Sequence, residues 1–245
     1  MPSPTEQLAT NLADEAELLT EEDLSPDEHA QVPAWWLECS GLDEHAAMAT
    51  ALDEWHRVIP GRLPLTEALF RSRSAGVHLA RLHRSGRRGA GGAAIVLVYA
   101  LHSETGDGTD DPYTCWYGYP NSPTLSNDRI DLSKLPVGVQ DFYTQLHGHF
   151  HLGGSGSTGI IPCHEIFTLD GAPEKWEFVH SASAKPKPSN MIPVLLDNSG
   201  SACIELTDNT NDDDIDGWIL YDSTLVHGGP MWAVIDDRIV KKTDL

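Results

Sequence analysis

The sequence predicts an α+β protein, an antiparallel or mixed sheet with flanking helices, preceded by a helical and β-meander N-terminal extension. Three observations lead to this class. Apolar residues in the first 70 positions recur at the spacing of helices. The run Ala93–Leu101 (AAIVLVYAL) is continuous and rich in strand-forming residues, as expected of a buried strand. After residue 171, short apolar runs between polar loops predict strands at 176–180, 192–196, 202–207 and 217–222, a pattern typical of antiparallel sheets. The apolar residues Trp232–Ile235, with Ile239, predict a last packed element.

The N-terminal residues predict a first amphipathic helix. Leu8, Leu12 and Leu19 fall on one helical face, so we expect this helix between Thr5 and Ser25. Its other face is acidic, and a solvated surface explains that face most simply.

Two further helices are expected before residue 73. Adjacent Trp35 and Trp36 precede them as an apolar anchor, which indicates packing more often than a binding site. Ser40 can cap the second helix, which ends before Pro60. Its apolar stripe comprises Leu42, Ala46, Ala49, Leu52 and Trp55. A third, shorter helix is expected to start near Pro64, because proline is favoured at the first helical position.

The segment 76–119 predicts an antiparallel meander. It comprises strands at 77–82, 93–101 and 113–117, a turn at 85–92 and a loop at 105–108. The polar linker from Pro120 to Ser133 follows and predicts a boundary between two regions, 1–125 and 126–245. The pattern leaves open whether the meander extends the C-terminal sheet or forms a lobe of its own.

The stretch from Leu135 to Gly171 has the most ordered pattern in the chain. It predicts a helix opened by Pro136, closed by Gly148 as a left-handed cap, and followed by a glycine-rich loop at 153–159. The apolar stripe of that helix comprises Val139, Phe142, Tyr143 and Leu146. Ile160-Ile161-Pro162 and the short segment Cys163–Ile166 complete the stretch.

Residues from about 130 to 245 resemble the SUKH superfamily (the SMI/KNR-like domain). The resemblance rests on the Leu-Pro that opens the helix, the glycine loop, the Ile-Pro and the "x-Glu-Ile" segment, in that order. His147-Gly148 stands where the family commonly has Asn-Gly. Three later segments look like the family's later strands: Met191–Val194, Cys203–Leu206 and Gly217–Asp222. The resemblance implies a SUKH-like fold, and many bacterial members are immunity proteins that neutralise a toxin.

Composition restricts the classes of partner. The formal charge of −21 argues against general nucleic-acid binding, which needs clustered cations, and favours a basic partner. No apolar run approaches the roughly 20 residues needed to cross a bilayer, and the N-terminus lacks the pattern of a signal peptide. We therefore expect a cytoplasmic protein. Its four cysteines are widely spaced, which predicts buried free thiols.

Three histidines at alternate positions, His147, His149 and His151, raise the alternative of a metal-dependent enzyme. Imidazoles are good zinc ligands, and alternate residues of a strand share one face. However, no H-E-x-x-H pattern accompanies them, and the predicted helix end at Gly148 separates the first histidine from the others. We expect no metal site, no cofactor and no catalytic residues.

A cluster of acids precedes the last strands: Asp212, Asp213, Asp214 and Asp216. Its spacing resembles the opening of an EF-hand loop, but Ser223 occupies the position of the essential twelfth-position glutamate. A solvated acidic turn is the simpler interpretation. These four residues are the predicted contacts for a basic partner.

The resemblance to the SUKH superfamily implies a bacterial immunity protein that binds and neutralises a cognate protein toxin, and the acidic charge agrees with a basic nuclease-type domain as the target. We expect a monomer that contacts neither nucleic acid nor membrane. Two alternatives remain open, a non-toxin regulatory interaction module and the metal-dependent enzyme.

Overall fold

The computed structural model describes residues 3–83, 94–103, 112–153, 158–171, 186–197, 199–221 and 224–243. These ranges contain seven helices: α1 (Pro4–Leu12), α2 (Pro26–His29), α3 (Ala34–Ser40), α4 (Glu44–Val58), α5 (Pro64–Ser72), α6 (Val137–Asp141) and α7 (Met231–Thr243). They also contain ten strands: β1 (Ala16–Leu19), β2 (Ser74–Leu82), β3 (Ile95–His102), β4 (Tyr113–Gly118), β5 (Phe150–Leu152), β6 (Gly159–Ile160), β7 (Met191–Leu196), β8 (Ser201–Glu205), β9 (Asp216–Tyr221) and β10 (Thr224–Pro230). The predicted α+β class is confirmed.

All ten strands belong to one antiparallel sheet, in which the strand order follows the chain from β1 to β10. The predicted meander therefore extends the C-terminal sheet. The junction is the β4–β5 pair, where Gly118 lies opposite Phe150. Strands on both sides of residue 125 thus share one sheet, while the division into domains 1–125 and 126–245 stays a prediction. Among the described helices, none is both long and apolar enough to cross a bilayer.

Strand β3 explains why the apolar run AAIVLVYAL has no alternation. Leu97 and Tyr99 enter the main core, beneath the helices, whereas Val96 and Val98 enter a second core on the opposite face. Since a strand directs successive side chains to opposite faces, a strand buried on both sides needs apolar residues throughout. Trp35 and Trp36 are both buried in the main core, 9% and 0% exposed, so the packing predicted for this tryptophan pair is confirmed.

The predicted N-terminal helix is wrong beyond Leu12. Helix α1 ends there, and Leu19 lies in β1 opposite Leu79 of β2. Leu8 and Leu12 pack into the second core, on the outer face of the sheet. A continuous helix would have left the edge of β2 without backbone partners. Strand pairing therefore outweighed the local helical pattern.

Helix α4 also starts later than predicted. Its cap is Asp43, whose carboxylate accepts hydrogen bonds from the backbone N–H groups of His45 and Ala46 at 3.2 and 3.0 Å. Ser40 instead ends α3, where its hydroxyl donates to the carbonyl of Leu37. As a result Leu42 is exposed. The buried stripe comprises Ala47, Met48, Ala51, Leu52, Trp55 and Val58.

The helix that begins after Pro136 has the predicted buried stripe but a different end. A π-helical turn over Phe142–Leu146 continues α6, and the His147 N–H donates to the Phe142 carbonyl at 2.9 Å. Gly148 does not adopt a left-handed conformation, so that prediction is wrong. Glycine is required there because a Cβ would lie 2.6 Å from the Pro120 carbonyl oxygen.

Several sequence predictions are borne out after residue 186, and some fall outside the described residues. The expected strands at 192–196, 202–207 and 217–222 correspond to β7, β8 and β9, and the last packed element is α7. The predictions for 85–92, 105–108, 176–180 and most of the glycine-rich loop lie outside the residues that the structure describes.

Candidate functional site

The acidic turn, residues 209–216, connects β8 to β9. Asp212–Asp214 form a short 3-10 helix within it. The side-chain amides of Asn209 and Asn211 donate to the Asp214 carboxylate at 3.2 and 3.0 Å. These hydrogen bonds hold Asp214 in place while it remains exposed. The sequence NTNDDD therefore folds as a self-capped turn, since asparagine and aspartate side chains readily bond nearby backbone and amide groups.

Asp212 does not face solvent. It is 7% exposed and accepts hydrogen bonds from the Gly138 N–H at 2.9 Å and the Trp232 indole N–H at 2.9 Å. The Arg62 guanidinium approaches the same carboxylate at 3.6 Å. Asp212 thus joins α6, α7 and the segment before α5, and it anchors the turn to the core. Of the four predicted partner contacts, Asp212 is therefore buried, and only Asp213, Asp214 and Asp216 lie on the surface.

The three remaining aspartates lie on the surface in different pairings. Asp213 forms an ion pair with Arg62, and its side chain is 70% exposed. Asp216, at the start of β9, pairs with the imidazole of His227 on β10 at 3.1 Å. Exposed pairs of this kind contribute little to stability, about 0–1 kcal/mol, so both carboxylates can exchange partners at little cost.

Exposed apolar side chains flank the turn. Val137 is 52% exposed, and its N–H donates to the Thr210 carbonyl at 2.9 Å, which places it directly beside the turn. Leu65 is 56% exposed and lies three residues after Arg62. Val137 thus adds an apolar side chain next to the exposed carboxylates of the turn.

Strand β10 forms the last edge of the sheet and is unusually open. None of its seven residues is buried. Val226 is 47% exposed, and Tyr221 at the end of β9 is 42% exposed. The Asp216–His227 pair connects this edge to the acidic turn, so the two features form one continuous surface.

The first of the three candidate metal ligands lies in the main core. His147 is fully buried among aromatic rings, including Trp35, with a centroid distance of 5.6 Å. Trp55 donates to the Tyr99 hydroxyl at 2.9 Å, and this hydroxyl contacts His147 Nε2 at 2.8 Å. His147 Nδ1 faces the Tyr119 carbonyl at 3.3 Å. With its proton on Nδ1, a neutral imidazole can accept a hydrogen bond from the Tyr99 hydroxyl at Nε2 and donate one to the Tyr119 carbonyl. A neutral ring therefore satisfies every hydrogen bond in this series from Trp55 to Tyr119.

Burial determines the charge state of His147. Desolvation lowers its pKa to about 3, against the smaller opposing effect of the Tyr119 carbonyl. Both ring nitrogens are engaged within the protein. The residue therefore acts as a polar connection inside the core, where its ring also stacks on Phe150.

His149 and His151 lie together, apart from His147. Their ring centroids are 4.7 Å apart, and His149 stacks on Tyr119 at 4.9 Å. His151 Nδ1 contacts the Leu152 carbonyl at 3.0 Å, and desolvation lowers the pKa of His151. Among the described residues, no group of three or more His, Cys, Asp or Glu side chains is arranged to hold a metal ion.

The four cysteines are buried and free, as predicted. Burial raises the pKa of Cys39 to about 12, so its reactive thiolate form is suppressed at neutral pH. Cys163 is buried whereas the adjacent His164 is exposed, and the two side chains therefore lie in different environments.

Sequence reasoning missed the three groups that hold Asp212. Arg62 and Gly138 lie far from it in the chain, and neither belongs to a recognisable pattern. Gly138 is required because a Cβ at this position would overlap the Asp212 carboxylate. Trp232 was predicted to pack, but its indole partner is visible only in three dimensions.

Comparison of the chain with protein-family models, with curated proteins and with solved structures finds no match in any of the three. The SUKH resemblance thus stays a prediction.

Proposed function

We propose that the chain is an immunity protein of the SUKH superfamily that binds and neutralises a cognate toxin in the cytoplasm of the producing cell. The complex is one-to-one, and the protein contributes binding, not catalysis. Support comes from the ordered motifs after residue 130 and from the net charge of −21. A toxin that attacks nucleic acid needs a basic cleft, which an acidic protein can occupy.

One observation carries the proposal: exposed carboxylates are presented on a turn anchored to the core. Asp212 provides the anchor, and the two asparagine amides hold Asp214. Asp213 and Asp214 remain exposed beside Val137. Because the turn is already ordered, binding costs little additional conformational entropy. Fixed charges beside apolar surface suit tight recognition of a basic protein.

The test uses the product of the neighbouring open reading frame as the candidate toxin. Cells that express this toxin should survive when the chain is co-expressed, and the purified proteins should form a one-to-one complex. The double variant Asp213→Lys/Asp214→Lys should slow association by about tenfold or more and reduce its salt dependence. Asp212 is left unchanged because it is buried.

A matched control makes the same change in charge at the opposite end of the sheet. Asp14 and Glu22 are exposed and flank β1, so Asp14→Lys/Glu22→Lys alters the net charge equally but leaves the acidic turn intact. The association rate of this control should stay within about twofold of the wild-type rate, because charges far from the contact act only through the screened long-range field. Equal loss in both double variants would mean that only net charge matters and that the turn is not the contact.

The alternatives give different outcomes. A wild-type protein that neither binds the toxin nor protects the cells contradicts the immunity proposal. Binding to a housekeeping protein without any protection supports the regulatory interaction module instead. One tightly bound zinc per chain, lost in His149→Ala/His151→Ala, would favour the metal-dependent enzyme.

A further inference from the structure

The open edge at β10 exposes backbone hydrogen-bonding groups in addition to side chains. Edge strands present unpaired N–H and C=O groups, and proteins usually protect them with lysines, prolines or covering elements. From Thr224 to His227, β10 carries no lysine and no proline, and none of these residues is buried. Among the described strands, β10 pairs only with β9. No described strand therefore occupies this edge, and its backbone can pair with another strand.

The register identifies which backbone groups face outward. The Met231 N–H donates to the Ile215 carbonyl at 3.0 Å, so Ile215 directs its carbonyl towards the chain of β10. Successive residues of β9 then alternate, and Trp218 and Leu220 direct their backbone groups towards β8. Their partners in β10 are His227 and Leu225. In such a non-hydrogen-bonded pair, both residues direct their backbone N–H and C=O groups away from the partner strand. Leu225 and His227 therefore present these groups to the free edge.

The accessible stretch is short and defined. A bulge lies between His227 and Gly229, and Pro230 has no N–H to offer. Pairing with an incoming strand is therefore limited to Thr224–His227. Val226 and Tyr221 provide exposed apolar contacts beside these residues. An extended segment can add here by β-augmentation, in which backbone hydrogen bonds contribute affinity and side chains contribute specificity.

Charge determines which segment fits. A second copy of this chain also has a net charge of −21, so two copies repel each other. Asp216 lies across from β10, and Asp213 and Asp214 belong to the turn that leads into β9. We propose that β10 binds an extended segment of the toxin rich in lysine or arginine, which adds as an outer strand along Thr224–His227. This inference rests on the proposed function and specifies how the partner is held.

The experiment measures amide hydrogen exchange of the full chain. The probes are two synthetic peptides, one of alternating Lys and Val and one of alternating Glu and Val. With the Lys-Val peptide at about ten times its dissociation constant, the amides of Leu225 and His227 should exchange about tenfold more slowly. By the same register, the amides of Thr224 and Val226 face β9, so their exchange should change far less. No slowing with Lys-Val peptide, or equal slowing with Glu-Val peptide, would overturn the proposal.

Two variants at one position separate backbone from side chain. His227→Ala removes the imidazole but retains the N–H, whereas His227→Pro removes the outward N–H as well. Binding should weaken less than about threefold in the first and about tenfold or more in the second. Equal binding by both variants overturns the inference. If His227→Pro does not fold by circular dichroism, the exchange data on the wild-type protein decide.

The toxin complex itself distinguishes this inference from the proposed function. Slowed exchange at Leu225 and His227 in the complex supports both. If the toxin binds and the cells are protected, but these two amides exchange as in the free protein, the immunity function stands and strand addition is wrong. Protection of the same amides that grows with protein concentration alone would identify a second copy as the occupant and overturn the assignment to a basic partner.

Discussion

The two edge strands of the sheet, β1 and β10, differ in how far their side chains are buried. In β1, Ala16 and Leu19 are buried, and the strand packs beside α1. In β10, no residue is buried. Both are terminal strands of the same antiparallel sheet, so pairing alone does not explain the difference. One terminal strand thus has two buried side chains, whereas the other has none, and exposed edge strands are the ones able to pair with a further strand.

Arg81 on β2 shows how the covered edge is secured. Its guanidinium bonds to Glu17 of β1 at 3.0 Å and to both carboxylate oxygens of Glu28 in α2, at 3.1 and 3.2 Å. Hydrogen bonds from Arg81 are the main reason that the pKa of Glu28 falls to about 2. Within the described residues of β10, the ion pair at the open edge is the exposed one between Asp216 and His227. Bidentate recognition at one edge thus contrasts with a surface pair at the other.

The largest effect is expected from truncating an apolar residue at each edge. Leu19→Ala should cost about 2–5 kcal/mol of unfolding free energy, because Leu19 is 8% exposed and belongs to the main core. Val226→Ala should cost about 0.5 kcal/mol or less. Urea denaturation of both variants measures this difference. Equal losses would show that β10 is as well packed as β1 and would remove the contrast.

The acidic turn provides a second comparison, between a buried aspartate and its exposed neighbours. Asp212→Ala should destabilise the protein by about 2–3 kcal/mol, because the Gly138 and Trp232 donors and Arg62 lose their buried acceptor. Asp213→Ala and Asp214→Ala should each change stability by about 0.5 kcal/mol or less. Thermal or urea unfolding distinguishes these outcomes. A small effect of Asp212→Ala would mean that the turn is not anchored as described.

The core between the two edges should respond to pH. Burial lowers the pKa of His147 to about 3, below the unfolded value of 6.5, so only the unfolded chain takes up this proton as the pH falls through 6.5. Stability is therefore greatest above that pH and should decrease by about 1.4 kcal/mol per pH unit below it for this one group. Urea midpoints between neutral pH and pH 5 measure the slope.

A substitution assigns that slope to His147. His147→Asn keeps an amide for hydrogen bonding but removes the titrating group. In this variant the unfolded chain should take up about one proton fewer on acidification. The slope of unfolding free energy against pH should therefore be shallower, whatever the change in absolute stability. An unchanged slope would mean that the protein tolerates a charged imidazole at this position, contrary to its burial.

The sequence by itself determined the class of the fold and most of its regular elements. The helix at Pro64, the strands β2, β3 and β4, and the buried stripe around Phe142 follow from short-range patterns of apolar residues and proline. The free buried cysteines follow from their spacing. Such features depend on neighbours within a few positions, so a local pattern is sufficient to predict them.

The tertiary structure decided what happens where distant segments meet. Leu19 lies in a strand because β1 supplies backbone hydrogen-bond partners to β2, although the spacing of Leu19 from Leu12 is helical. Asp212 became an anchor because Gly138 and Trp232 converge on it, and Asp236 caps α5 from 170 positions away. A buried carboxylate must satisfy its hydrogen bonds wherever donors exist, whereas an exposed one is satisfied by water. The sequence cannot distinguish the two until the fold has brought those donors together.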